Sequence, residues 1–158
     1  MSRRPVRDRV FSVGVNHWNR RLFDSLIPLP DGTSYNAYLV QGSDKTAVLD
    51  GVDPDLQAEF FENLAGVARV DYVVGHHVEQ DHAGAIPAML DRWPEAVLLA
   101  TPKGRDLFLA HLDIPESRIR TVADGESLSL GDKTLQFFHT PWVHWPETMC
   151  TWLPEDQL

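Results

Sequence analysis

Short apolar runs dominate the beginning of the chain. Val10–Val15, Leu22–Ile27, Tyr35–Val40 and Thr46–Leu49 are rich in β-branched and aromatic residues and predict strands. Pro28-Leu29-Pro30-Asp31-Gly32 and Gly42-Ser43-Asp44 separate them with turn chemistry. Farther along the period changes. Asp53-Pro54 reads as an N-cap followed by proline at the first helical position, and Leu56, Phe60 and Leu64 recur at helical spacing, so a helix is expected over residues 54–65. Val70–Val74 predicts a buried strand. Pro87 opens a helix that runs to Trp93 and stops before Pro94. Ala96–Ala100 predicts a strand, and Thr101-Pro102 repeats the cap signature for a helix reaching about Leu112. Strands follow near Arg118–Val122, Ser127–Leu130 and Thr134–His139. A β-rich start followed by β–α alternation predicts an α/β (α+β) domain, a large sheet with helices packed on it.

The chemistry concentrates just past the strand Val70–Val74, in His77-Val78-Glu79-Gln80-Asp81-His82. If this segment stays extended, residues 77, 79 and 81 point to one side, and His82 swings in at the start of a turn. Two imidazoles and two carboxylates form a mixed nitrogen/oxygen donor set that suits iron, zinc or manganese. A plainer reading stands beside it, with Asp81 as the N-cap of the next helix and Glu79 as a solvated loop residue. In open α/β sheets ligands gather at the carboxyl ends of strands. His77 follows one such end, His144 lies beyond the strand Thr134–His139, and Asp50 closes Thr46–Leu49. Asp50 either accepts from a ligand imidazole or caps the turn before Gly51. His76 is expected to face away from His77, and His139 to belong to a strand face. His17 reads as a surface or packing residue, and His111 as a cation at a helix C-terminus. Trp142 and Trp145 flank His144 and read as packing residues, with walling of a metal pocket as a second role.

Composition narrows the class. The length of 158 residues suits one domain, here 1–158, with a hydrophobic fraction of 43% and a charged fraction of 23%. The net charge of −9 argues against nucleic acid as a partner. No apolar stretch has the length of a membrane span, and the basic start is not followed by the apolar segment of a signal peptide. Arg3, Arg4, Arg7 and Arg9 form a Pro-broken run that predicts a frayed terminus. The lone Cys150 excludes an internal disulfide, fits a reducing cytoplasm and reads as a small buried residue.

The pattern His77-x-Glu79-x-Asp81-His82 with a later His144 resembles the metallo-β-lactamase-like domain of flavodiiron proteins. Arg20-Arg21-Leu22-Phe23-Asp24, the segment Pro28 to Leu39, and Thr140-Pro141-Trp142-Val143-His144-Trp145-Pro146-Glu147 extend the resemblance. It implies an αββα sandwich with a non-haem di-iron centre that reduces O2 to water or NO to nitrous oxide. Electrons arrive from FMN in a flavodoxin-like domain. By the resemblance His77, Glu79 and His144 hold one iron, and Asp81 with His82 serves the second. Hydrolytic relatives typically carry a histidine where Glu79 stands, and the added carboxylate favours iron over zinc, with zinc still able to occupy the site.

The family pattern continues beyond Leu158, with a bridging Asp, a further His and the flavodoxin-like domain. The expectation is therefore a domain truncated in its second half: a fragment, a split half completed by a partner or homo-oligomer, or a non-catalytic metal-binding remnant. A metal-dependent hydrolase with Asp81 as orienting base is the alternative activity.

Overall fold

The computed structural model describes residues 3–158. A seven-stranded sheet in the order β1-β2-β7-β8-β9-β10-β11 forms its centre. Strands β1 (Arg4–Arg7), β2 (Val10–Ser12), β7 (Tyr38–Gln41) and β8 (Thr46–Leu49) pair antiparallel. Strands β8, β9 (Tyr72–Val74), β10 (Val97–Ala100) and β11 (Ile119–Thr121) run parallel. Parallel neighbours require crossovers. These contain helices α1 (Gln57–Asn63), then α2 (Gln80–Ala83) with α3 (Ile86–Arg92), then α4 (Pro102–His111).

The central strands have almost continuous apolar sequences because both faces are buried. Leu39, Val48, Val73 and Leu98 pack under Phe60, Leu64, Ile86, Met89 and Phe108 of the helical layer. The alternate residues Val40, Ala47, Leu49, Val74 and Leu99 face Leu130, Leu135, Phe137, Met149 and Leu153. That second face is covered by a three-stranded sheet of β12 (Ser127–Ser129), β13 (Thr134–His139) and β14 (Met149–Trp152). The layers are therefore helix, sheet and sheet. This is the α/β class that the sequence pattern predicts and three of the four layers of the sandwich that the resemblance implies, without an outer helical layer among the described residues. The outward residues Phe138 and Trp152 are 41% and 40% exposed.

Several elements differ from the sequence-based expectation. The expected strand Val10–Val15 divides at a bulge where Val13 and Gly14 both donate to the Ala37 carbonyl. Beyond it the chain leaves the main sheet, and β3 (Val15–His17) pairs with β6 (Thr33–Tyr35) in a separate ribbon. Gly14 is required there, since a Cβ would lie 2.1 Å from the Tyr35 carbonyl oxygen. Leu22–Ile27 is not one strand: Asp24 and Ser25 take φ of 50° and 56°, and β4 (Leu22–Phe23) turns back on β5 (Ile27–Pro28). The basic start is not frayed, because Arg4–Arg7 is the edge strand β1. Cys150 is exposed, since alternation along β14 turns it outward with Trp152. No helix among the described residues is long and apolar enough to cross a membrane.

Candidate metal centre

The carboxyl ends of β8, β9 and β10 converge at one rim of the parallel half of the sheet. Strand β9 ends at Val74, and Gly75 carries the chain past Phe108, whose ring would meet a Cβ at 2.5 Å. His76 and His77 then diverge. His76 turns to Asp50 and Thr151, with Nδ1 3.0 Å from Asp50 Oδ2 and Nε2 2.6 Å from Thr151 Oγ1. His77 faces the opposite side, as alternation requires, and is buried.

The extended geometry stops before Asp81. Glu79 has φ −59° and ψ 146° and occupies the N-cap position of α2, with no side-chain cap bond. Its carboxylate is thereby free to lie between two imidazoles, with Oε2 3.1 Å from His77 Nε2 and 3.4 Å from His144 Nε2. Asp81 is not the cap. It lies in the first turn of α2, and the helix delivers it and His82 to the same rim. The rings of His77 and His82 are 5.3 Å apart, and those of His77 and His144 4.8 Å, both edge-on. Donor atoms of His77, Glu79 and His144 all lie within 4.8 Å of one another. Asp81 Oδ2 and His82 Nε2 sit beside them, 3.7 Å apart.

Electrostatics divide these groups. Burial pushes the Asp81 carboxyl above its ordinary value. His82 is raised: burial opposes its charge, but the hydrogen bond and charge of Asp50, 3.2 Å from Nδ1, prevail. Burial likewise opposes ionisation of Asp50, yet the His76 charge and the hydrogen bonds from His76 and His82 hold it well below the usual carboxylate range. Asp50 thus acts as an acceptor for an imidazole of the motif. Asp81 Oδ1 is buried and accepts no hydrogen bond among the described residues. A cation satisfies such an oxygen as a donor does, so the residues present fit a metal ion.

The remaining residues frame the site. Trp145 walls it, its ring 5.0 Å from His77 and nearly perpendicular. Trp142 does not pack, and is 77% exposed. His139 is turned away, with Nε2 3.1 Å from the Val122 carbonyl, and His17 meets the Tyr35 hydroxyl at 3.1 Å. A cavity of about 540 Å³ opens beside Glu79 and Asp81 and is bounded by Arg20, Phe23, His111 and Trp145. Arg20, Phe23 and Asp24 of the segment quoted above for its resemblance line it, together with Ser25 of the β4–β5 turn. Glu147 was not singled out by the sequence. It is buried and its Oε1 lies 2.7 Å from His77 Nδ1. Its place in the Trp145-Pro146-Glu147 segment was the only available signal.

A family model described as ODP family beta lactamase matches residues 33–158. The chain belongs to this family. A type A flavoprotein, fprA, of Rhodobacter capsulatus is 44% identical over 158 residues, which covers 97% of this chain and 36% of that protein. A nitric oxide reductase of Moorella thermoacetica is 37% identical over 157 residues, covering 97% and 39%. The solved rubredoxin oxygen:oxidoreductase of Desulfovibrio gigas superposes with a TM-score of 0.91 at 33% identity, covering 98% of this chain and 39% of that one. Other matches carry the flavodiiron name itself. The ODP domain here thus spans 36–39% of the length of these relatives.

Proposed function

We propose that this chain is the iron-binding domain of a flavodiiron-type reductase that reduces O2 or NO with electrons from FMN. The convergence of His77, Glu79 and His144 within 4.8 Å carries the reading. Two imidazoles and one carboxylate with open positions form the donor set of non-haem ferrous centres. In this reading residues 1–158 form one domain, His77, Glu79 and His144 hold one metal, and Asp81 with His82 serves a second. Iron at this position supplies one-electron redox chemistry toward a diatomic gas. The chain's own residues position and shield that metal. Asp50 fixes the orientation of His82, Trp145 keeps water from one side of His77, and the cavity beside Glu79 gives access.

The names of the relatives support the pair of gases, one being a nitric oxide reductase and another an oxygen oxidoreductase. FMN comes from a flavodoxin-like domain or partner, and the second metal gains its further ligands from more chain, a split partner or a second copy. A reducing cytoplasm suits the free Cys150. Glu79 supports iron over zinc and reduction over hydrolysis, because it adds hard-oxygen charge where hydrolytic relatives typically have histidine.

The test is anaerobic reconstitution with ferrous iron, followed by metal counting and gas electrodes with a reduced flavodoxin-type donor. Retained iron is expected, with little or no turnover by residues 1–158 alone and donor-dependent uptake of O2 or NO once the further ligands are supplied by the longer protein or its partner. Failure to retain iron, or uptake of neither gas by that completed protein, overturns the reading.

A further inference from the structure

We infer that Glu147 is a positioning residue for the metal site: it fixes the tautomer and the ring plane of His77. This rests on the proposed assignment of His77 as a ligand.

Glu147 Oε1 takes two hydrogen bonds, from the Val78 backbone N–H at 3.2 Å and from His77 Nδ1 at 2.7 Å. A carboxylate oxygen only accepts, so toward ionised Glu147 the Val78 N–H and His77 Nδ1–H are both donors, and Nδ1 carries the proton. Nε2 is then the nitrogen left for a metal, and it faces Glu79 and His144. A ligand imidazole whose other nitrogen donates to a carboxylate is held in one orientation and becomes a better donor. The contact is dry, with side-chain exposures of 6% for His77 and 1% for Glu147.

The placement of Glu147 is itself fixed from two sides. Its backbone carbonyl accepts from Thr101 Oγ1 at 3.0 Å, and the same hydroxyl caps α4 by accepting from Gly104 at 2.9 Å. Two residues later Met149 N–H donates to the His76 carbonyl at 3.2 Å. The loop carrying both His144 and Glu147 is therefore tied to the ends of β10 and β9. Glu147 Oε2 is buried without a donor among the described residues. Such a carboxylate is a poor choice for packing alone; its task is the pairing with His77.

The experiment titrates zinc into the chain and into E147Q and E147M, with the melting temperature of each metal-free protein measured alongside. Met matches Glu in length but is only a weak hydrogen-bond acceptor, whereas Gln keeps an acceptor oxygen and loses the charge. E147M is expected to bind zinc roughly 10- to 100-fold more weakly, with E147Q between it and the parent. Long-range ¹H–¹⁵N spectra of the zinc-loaded proteins give the direct signature. A slowly exchanging His77 Nδ1–H is expected in the parent and E147Q and is lost in E147M. Parent-like affinity in E147M, or a His77 proton on Nε2 in the parent, overturns this inference alone. If E147M does not fold, E147Q decides: several-fold weaker binding supports it, and unchanged binding overturns it. Absence of both zinc and ferrous iron binding by the parent removes the metal-site reading together with this one.

Discussion

His82 Nδ1 lies 3.2 Å from Asp50 Oδ2, and that carboxylate also takes the backbone N–H of His76 at 2.8 Å and His76 Nδ1 at 3.0 Å. One side chain at the end of β8 thereby ties down the end of β9 and the first turns of α2. Gly51 N–H adds a bond to the His82 carbonyl at 2.8 Å. Asp50 itself has φ of 57°, a left-handed conformation that Asp and Asn tolerate better than other non-glycine residues. Loss of hydrogen bonds to a buried charge costs about 1.5–3 kcal/mol. Asp50→Asn should fall near that range in urea denaturation. Asp50→Ala should cost more, by roughly 1 kcal/mol or above, because it adds backbone strain. Equal stability of D50N and the parent would show that the network contributes no net stabilisation.

His144 and His139 separate the proposed ligand from a bystander. His144 Nε2 is 3.4 Å from the Glu79 carboxylate, whereas His139 Nε2 meets the Val122 carbonyl and its backbone N–H meets Asp124. His144→Ala should weaken binding of iron or zinc by more than the roughly 10- to 100-fold that loss of an outer partner costs, because it removes one of the three proposed ligands. His139→Ala should leave metal affinity within a few-fold of the parent. Isothermal titration with both variants decides the point, and equal losses would mean that the third ligand is misassigned.

Of the proposed ligand set, the local pair was legible in the sequence itself, whereas His144, 65 positions beyond Glu79, came through the resemblance. His77 and Glu79 lie two positions apart on extended backbone, and the alternation of side chains is enough to place both on one side. The caps at Asp53 and Thr101 were legible for the same reason, and each side chain does accept a backbone N–H. Asp81 defeated the reading because a helix starts at Gln80, and neither Pro nor a capping bond announces it. The broken strands at Gly14 and Asp24 depend on partners far along the chain, among them the Ala37 carbonyl. Glu147 was invisible because only the fold brings it to His77, 70 positions away. Strand β1 was hidden by its composition, since an edge strand needs no apolar alternation and benefits from charge and Pro.

The proposed function makes Glu79 the residue that selects the metal. Its Oε2 bridges the two histidines of the cluster, so replacement changes the chemistry of the site without moving the backbone. Glu79→His would give three imidazoles, a donor set typical of zinc. Anaerobic competition between equal amounts of ferrous iron and zinc, followed by metal analysis of the desalted protein, should show the variant shifted toward zinc about tenfold relative to the parent. An unchanged partition would remove the argument that the carboxylate selects iron.

Far from the site, Asp132 joins three turns. Its Oδ1 accepts from Ser43 N–H at 2.8 Å and from Arg9 Nη1 at 3.2 Å, and Oδ2 pairs with Arg9 Nη2. Arg9 lies in the β1–β2 turn, Ser43 between β7 and β8, and Asp132 between β12 and β13. The Arg9 hydrogen bond, more than any other influence, holds the Asp132 carboxyl below its ordinary value of 3.8. A carboxylate depressed by folding adds stability that is fully present above its unfolded value and is lost as pH falls through its folded value. Asp132→Asn should therefore be less stable than the parent at neutral pH. The gap should stay level while pH remains well above 3.8 and then close as acid protonates the parent. Because the pair is exposed, salt should shrink the gap at neutral pH as well. Thermal melts of both proteins across pH and ionic strength measure it, and a gap that persists unchanged in acid would mean that the Asp132 contacts act through geometry rather than charge.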